Sequence, residues 1–280
     1  MLLLVTLFTT WRPARKLPLE IFNFDRKMNH VQYVQMMIRE LKEATPMTSR
    51  HALFCLAVAS LILFPAAAKT LPQVEPGFTS LFNGQDLAGW VYGKRGTAEN
   101  KSGKGYQVEN GVIYSTKEDG GNLYTVKEYS DFVLRFDVRL TENANNGIGI
   151  RAPLEGDAAY VGMEIQVLDD SGSQYTSLRP YQYHGSIYGM VAPKRGFQKP
   201  VGEWNSEEIT AKGRQITIKL NGTTIVDANL DDVKDEEMLK AHRDLSKPEG
   251  SRGIANTKGH IGFLGHGARV EFRNIRIKEL

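Results

Sequence analysis

From residue 78 onward, apolar residues recur at every second position. Phe132, Leu134, Phe136, Val138 and Leu140 alternate with Val133, Arg135, Asp137 and Arg139, which predicts a long half-buried strand. Val161, Met163, Ile165 and Val167 alternate with Gly162, Glu164, Gln166 and Leu168, and Ile216, Ile218 and Leu220 with Thr217 and Lys219. Asn221-Gly222 then predicts a hairpin turn into Thr224-Ile225-Val226, and Asn110-Gly111 a second one into Val112-Ile113-Tyr114. The chain closes on Ile261 and Phe263, then Val270, Phe272, Ile275 and Ile277. Only residues 232–245 have a helical pattern, so one short helical insertion is expected. About a dozen strands with no βαβ alternation predict an all-β sandwich of two antiparallel sheets.

The first 68 residues follow a different pattern. Met47 precedes Arg50 and His51, the apolar run Ala52–Phe64 follows, and Pro65 leads into Ala66-Ala67-Ala68. This is the order of a secretory signal peptide, expected over 47–68 with cleavage near Ala68. Residues 1–46 then read as an upstream extension, 69–76 as a linker and 77–280 as the folded domain. The apolar run is shorter than the about 20 residues that span a bilayer. The expectation is therefore a periplasmic or extracellular protein with no stable membrane insertion after signal cleavage.

Charge supports the division. Residues 1–68 hold eight Lys and Arg against four Asp and Glu, whereas 69–280 hold 27 against 28. A near-neutral body lacks the clustered basic face of a nucleic-acid binder, so no nucleic-acid partner is expected. Cys55 is the one cysteine, which leaves the body without disulfides, thiolate metal ligands or a Cys nucleophile. Phosphate-binding loops, dinucleotide fingerprints, Gly-x-Ser-x-Gly elbows and His-Glu-x-x-His pairs are all absent.

Polar residues at strand positions remain. Glu164 and Gln166 are two apart and share a strand face. Arg151 ends a strand that follows Asn145-Asn146, His184 and Tyr188 flank Gly185-Ser186-Ile187, Trp204-Asn205 opens another strand, and His266 closes the strand begun at Gly259.

Seven segments connect these residues to a known family. They are Phe78–Trp90, Tyr129–Phe136, Asn145–Arg151, Gly162–Asp169, Gly185–Gly189, Glu203–Asn205 and Val270–Leu280. In order and spacing they resemble the secreted 3-keto-disaccharide hydrolase domain family, over nearly all of 77–280. Two segments depart from its pattern. Asn145-Asn146-Gly147 stands where the family commonly has Asn-Ser-Gly, and Phe263-Leu264-Gly265-His266-Gly267 where it has Leu-Gln-x-His-Gly.

The resemblance implies a concanavalin A-like jelly roll and an oligosaccharide or glycoside substrate oxidised to a ketone at the third ring carbon. The ketone acidifies the neighbouring C–H, so a base can form an enolate, the aglycone leaves by elimination, and water adds. Glu164 is the expected base, Arg151 the group holding the enolate oxygen and His184 the acid for the leaving group, with His266 as an alternate. Gln166, Asn146, Tyr188, Trp204 and Asn205 are expected to line the sugar site. No cofactor is required, although a hard divalent metal such as calcium would suit the oxygens of Glu164 and Gln166. The competing reading is a non-catalytic, lectin-like carbohydrate-binding module, since one sandwich fold hosts both.

Overall fold

A computed structural model describes residues 74–95, 98–99, 105–116, 121–234 and 253–280. The expected upstream segment 1–46 and signal peptide 47–68 lie outside these residues, as does most of the expected helix at 232–245. In chain order the strands are β1 (Thr79–Ser80), β2 (Trp90–Tyr92), β3 (Lys94–Arg95), β4 (Ala98–Glu99), β5 (Tyr106–Glu109), β6 (Val112–Ser115), β7 (Asn122–Tyr129) and β8 (Phe132–Leu140). Then come β9 (Asn145–Ala152), β10 (Met163–Leu168), β11 (Trp204–Lys212), β12 (Gln215–Leu220), β13 (Thr223–Asn229), β14 (Gly259–Leu264) and β15 (Val270–Glu279). One helical turn, α1 (Ala158–Val161), precedes β10 and is capped by the Asp157 carboxylate; the sequence pattern gave no sign of it.

Apart from β3 and β4, which pair only with each other, the strands form the expected two-sheet antiparallel sandwich. The larger sheet runs β13-β12-β11-β8-β15-β6-β5, with β1 beside β15, and the smaller runs β10-β9-β14-β7-β2. Asn110-Gly111 and Asn221-Gly222 sit at the β5–β6 and β12–β13 hairpins with φ of 52°, 78°, 51° and 85°, the paired left-handed conformation that a two-residue turn requires.

Alternation builds the core. β8 buries Phe132, Leu134, Phe136, Val138 and Leu140 and leaves the intervening residues half-exposed. On the smaller sheet Ile148, Ile150, Met163, Ile165, Val167 and Phe263 face inward. An aromatic column joins the sheets: Phe263 stacks on Trp90 at 5.0 Å and on Phe272, across the sandwich, at 4.0 Å. Phe263 is thus the ring that both sheets touch. Phe263→Ala removes it from a fully enclosed site, and the loss of a buried aromatic costs about 3–5 kcal/mol. Urea unfolding should show that loss, and a change below about 1 kcal/mol would mean that the column does not hold the sheets.

Candidate active site

Strand β10 is buried on both faces. Met163, Ile165 and Val167 supply the inward face, so Glu164 and Gln166 project from the outer one. Register places Glu164 opposite Gly149, Gly149 opposite Gly262, Gly262 opposite Tyr124, and Tyr124 opposite Val91. One row therefore crosses five strands from Glu164 to Val91, and its second and third positions have no side chain. A Cβ at Gly262 would overlap the Tyr124 ring, and one at Gly147 would overlap the Glu164 carboxyl oxygen. The carboxyl accordingly lies back over the bare backbone of β9, a close approach that only glycine allows.

Glu164 and Gln166 are each only 5% exposed. His266 follows β14 and brings Nε2 to 4.0 Å from Glu164 Oε1, with 29% of its own side chain accessible. Tyr188 lies across from Glu164, donating its N–H to the Glu164 carbonyl at 2.8 Å, and its hydroxyl accepts from Gln182 Nε2 at 3.2 Å. Gln166 Oε1 and Ser186 Oγ are buried with no hydrogen-bond partner among the described residues. Buried polar atoms are normally satisfied, and a ligand rich in hydroxyls would satisfy both. Beyond the glycines, Asn122 Nδ2 donates to the Tyr124 hydroxyl at 3.1 Å. The Tyr106 phenol is held far above its ordinary pKa, mainly by burial, opposed by its bond to Asn146 and reinforced by the Glu164 charge.

The outer edge of β10 is covered by residues 184–188, in which Gly185-Ser186-Ile187, expected as a short strand, folds as a turn with isolated bridges from Ile187 to Ile165 and to Val191. Gly185 N–H donates to the Gln166 carbonyl while Gln166 N–H donates to that of Ser186, and Gly185 has φ of 78°. Two residues thus oppose one, with glycine left-handed at the first, which defines a G1 bulge. The extra residue re-aims the chain. Ile187 stays in the core, Ser186 and Tyr188 stay with Gln166 and Glu164, and His184 turns inward beneath the edge. There its Nδ1 accepts from Leu168 N–H at 3.2 Å, and its Nε2 stands 3.4 Å from Glu207 Oε2 on the larger sheet.

Of the expected site residues, the structure thus gathers Glu164, Gln166, Tyr188 and His266. The other five serve elsewhere. Arg151, expected at the enolate oxygen, is 1% exposed. All five of its guanidinium N–H groups are engaged, two by the Ser130 carbonyl and the others by the Gly213 and Asn256 carbonyls and the Asp131 carboxylate. No donor remains for a substrate. His184, expected as the acid, has a side chain 1% exposed and paired with Glu207. Asn146 points inward with Ile148 and Ile150, and its Nδ2 donates to the Tyr106 hydroxyl at 3.2 Å. Trp204 lies on the solvent face of the larger sheet between Arg139 and Arg273, at 4.6 and 4.0 Å from its ring. Asn205, buried beneath it, accepts from Lys199 N–H and Asn221 Nδ2 at 2.8 Å each.

Tyr124, Ser186 and the glycine floor were not anticipated. The usable signal was Gly147-x-Gly149 within a strand pattern, since glycines two apart strip one face of side chains. Among the described residues no group of three or more His, Cys, Asp or Glu side chains converges as a metal site. A cation at this face would meet the Glu164 carboxylate and the Gln166 amide oxygen.

The chain resembles known proteins over this domain. A Bacteroides thetaiotaomicron protein named 3-keto-disaccharide hydrolase is 25% identical over 239 residues, covering 75% of this chain and 81% of its own. A Parabacteroides distasonis protein of solved structure, provisionally described as a glycosyl hydrolase, is 29% identical with a TM-score of 0.58, covering 73% of this chain and 94% of its own. A second from the same organism, similarly described, shares the fold at 24% identity and a TM-score of 0.57, over 72% of this chain and 99% of its own. The family described as the 3-keto-alpha-glucoside-1,2-lyase-like domain matches residues 77–278, and the chain belongs to that family.

Proposed function

We propose that the protein cleaves 3-keto-glycosides by elimination and hydration, with Glu164 as the base and His266 as the acid. In broad class it is a carbohydrate-acting hydrolase, in keeping with the family and with the named relative. The observation that carries the finer reading is the placement of Glu164: 5% exposed, over a floor without side chains, with His266 Nε2 at 4.0 Å. Burial strengthens a carboxylate's interactions with a substrate that reaches it, and His266, with 29% of its side chain accessible, stands on the solvent side of Glu164.

The chemistry follows. Glu164 takes the hydrogen from the carbon next to the ketone, and the C–H electrons pass to the carbonyl oxygen as an enolate. Those electrons return to expel the aglycone oxygen from the anomeric carbon, and His266 gives that oxygen a proton. Water then adds across the new double bond, so the net change is hydrolysis. The family description names a 1,2-lyase, which is elimination across these two carbons. Gln166 Oε1 and Ser186 Oγ are positioned to accept or exchange hydrogen bonds with ring hydroxyls. Elimination needs one positioned base and not the paired carboxylates of a direct displacement.

Glu164→Gln keeps the shape and deletes the base, so release of aglycone from a 3-keto-glucoside should fall by about 10²–10⁴ while binding persists. Exchange of the substrate's adjacent hydrogen for solvent deuterium should fall with it. Near-wild-type turnover would remove Glu164 from the mechanism. Sugar binding by the wild type without release from any 3-keto-glycoside would favour the non-catalytic module.

Gly147→Ala tests the floor separately. The backbone there tolerates alanine, because Gly147 is not among the positive-φ residues, but the new methyl displaces the carboxyl. Misplacement by about 1 Å can cost about 10²-fold, so turnover should drop by roughly that factor with the fold intact by circular dichroism. Unchanged turnover would contradict the position assigned to Glu164.

The same reading includes export through the signal at 47–68. Expressed from Met47 in a Gram-negative host, the protein should appear outside the cytoplasm with Lys69 or a near neighbour as its N-terminus. Recovery of residues 47–68 on the cytoplasmic protein would exclude this.

A further inference from the structure

We propose that His184 and Glu207 form an inter-sheet clamp that positions the catalytic face, a role that rests on the reading of Glu164 given above. The two belong to opposite sheets of the sandwich, with side chains 1% and 0% exposed and His184 Nε2 3.4 Å from Glu207 Oε2. Glu207 lies among apolar inward residues of β11, two before Ile209 and opposite Phe136, where a carboxylate is costly unless paired. Neither of its oxygens makes a well-directed hydrogen bond among the described residues. Core packing alone gives no reason for it, since an apolar side chain of similar size would fill the position at no electrostatic cost.

The pair has a mechanical consequence. His184 is the residue at which the covering strip departs from β10, and the G1 bulge at Gly185 is what turns it toward the larger sheet. From there the strip attaches step by step to the strand bearing the base. Gly185 N–H bonds to the Gln166 carbonyl, Gln166 N–H to Ser186, and Tyr188 N–H to the Glu164 carbonyl. The ring itself takes the Leu168 N–H. Holding His184 therefore holds the strip, and the strip holds the backbone of Glu164 and Gln166 from the side opposite β9. A Cβ at Gly185 would strike Ile225 of β13, so the bulge is also seated against the larger sheet.

Two acidic groups face His184: Glu207 across the sandwich and Asp170, whose carboxylate accepts the backbone N–H of His184 at 2.9 Å. Burial opposes the imidazolium, as does the Leu168 N–H, which needs an unprotonated Nδ1. Glu207 first and then Asp170 favour it, and the ring titrates above its ordinary value of 6.5. Protonation thus strengthens the link to Glu207 and gives up the one to Leu168. A raised folded-state value means that the charge-dependent part of the clamp is fully present below the unfolded pKa. It is lost as pH rises through the folded one.

Glu207→Gln tests the clamp, because it preserves size and removes charge. Amide hydrogen exchange, read without substrate, should quicken at least about tenfold at Gly185 and Tyr188 relative to amides of β8. On a 3-keto-glucoside the variant should lose about ten- to a hundredfold in kcat with KM little altered. The stability gap between wild type and variant should narrow as pH rises above neutrality. By nitrogen NMR, the His184 ring should titrate lower in the variant. Should Glu207→Gln fail to fold, the double variant His184→Leu/Glu207→Met supplies an apolar pair of similar bulk, and the same loosened strip and lowered kcat are expected of it. Strip amides that exchange as in the wild type, in either folded variant, overturn the clamp. So does an unchanged kcat. A wild-type protein inactive on keto-sugars would instead remove the reading of Glu164, and the exchange result would still decide whether the clamp exists.

Discussion

Burying a carboxylate on a strand is the constraint around which the smaller sheet is arranged. Ionised carboxylates taken from water lose several kcal/mol of solvation unless charges or hydrogen bonds replace it. Strand β10 hides both faces, one with Met163, Ile165 and Val167 and the other with Glu164 and Gln166. The apolar face fixes which residues point outward, because a one-residue slip would drive Glu164 into the core. Everything beside Glu164 then answers to its position: glycines beneath it, His266 in front and Tyr188 at its backbone. A site so enclosed has a strong field and little freedom, which suits removal of a weakly acidic C–H proton.

The two sheets contribute different things. The larger one carries ion pairs on its solvent face, including Arg135 with Glu208 at 2.6 Å and Arg273 with Asp137 at 3.1 Å. Such half-exposed pairs add little individually. Its inward face supplies the aromatic and aliphatic bulk against which the smaller sheet is pressed, and two polar residues, Asn205 and Glu207, near the edge where the covering strip runs. The smaller sheet has the glycine row and the proposed base.

How much of this was legible depended on what period two can encode. Alternation identified β8, β10, β12 and β15 and paired Glu164 with Gln166, because both statements concern one strand. It could not say which sheet a strand joins, so Trp204, outward on β11, was grouped with residues two layers away. It could not see a bulge either, and the extra residue at Gly185 is what sends His184 inward. Arg151 was misread for a related reason. Its φ of 50° breaks the strand geometry where its side chain begins, and the guanidinium goes to turn carbonyls distant in sequence. Gly147 and Gly149 were placed in a strand, but alternation says nothing of what an absent side chain admits, here the Glu164 carboxyl over Gly147. The family resemblance rests on order and spacing, which place residues along the chain, whereas whether they meet depends on side-chain direction, which order and spacing do not carry.

The strip at 184–188 also bears on how the protein behaves among other copies of itself. A sandwich sheet ends in strands whose free N–H and C=O groups invite a neighbouring chain to add on. At one end of the smaller sheet β2 is only three residues long, too brief to template much. At the other, β10 would be a six-residue edge, but the strip and the His184 ring already occupy its outward groups. The same five residues therefore cover this edge and brace the strand of the proposed base, and conditions that peel them from β10 would release an adhesive edge.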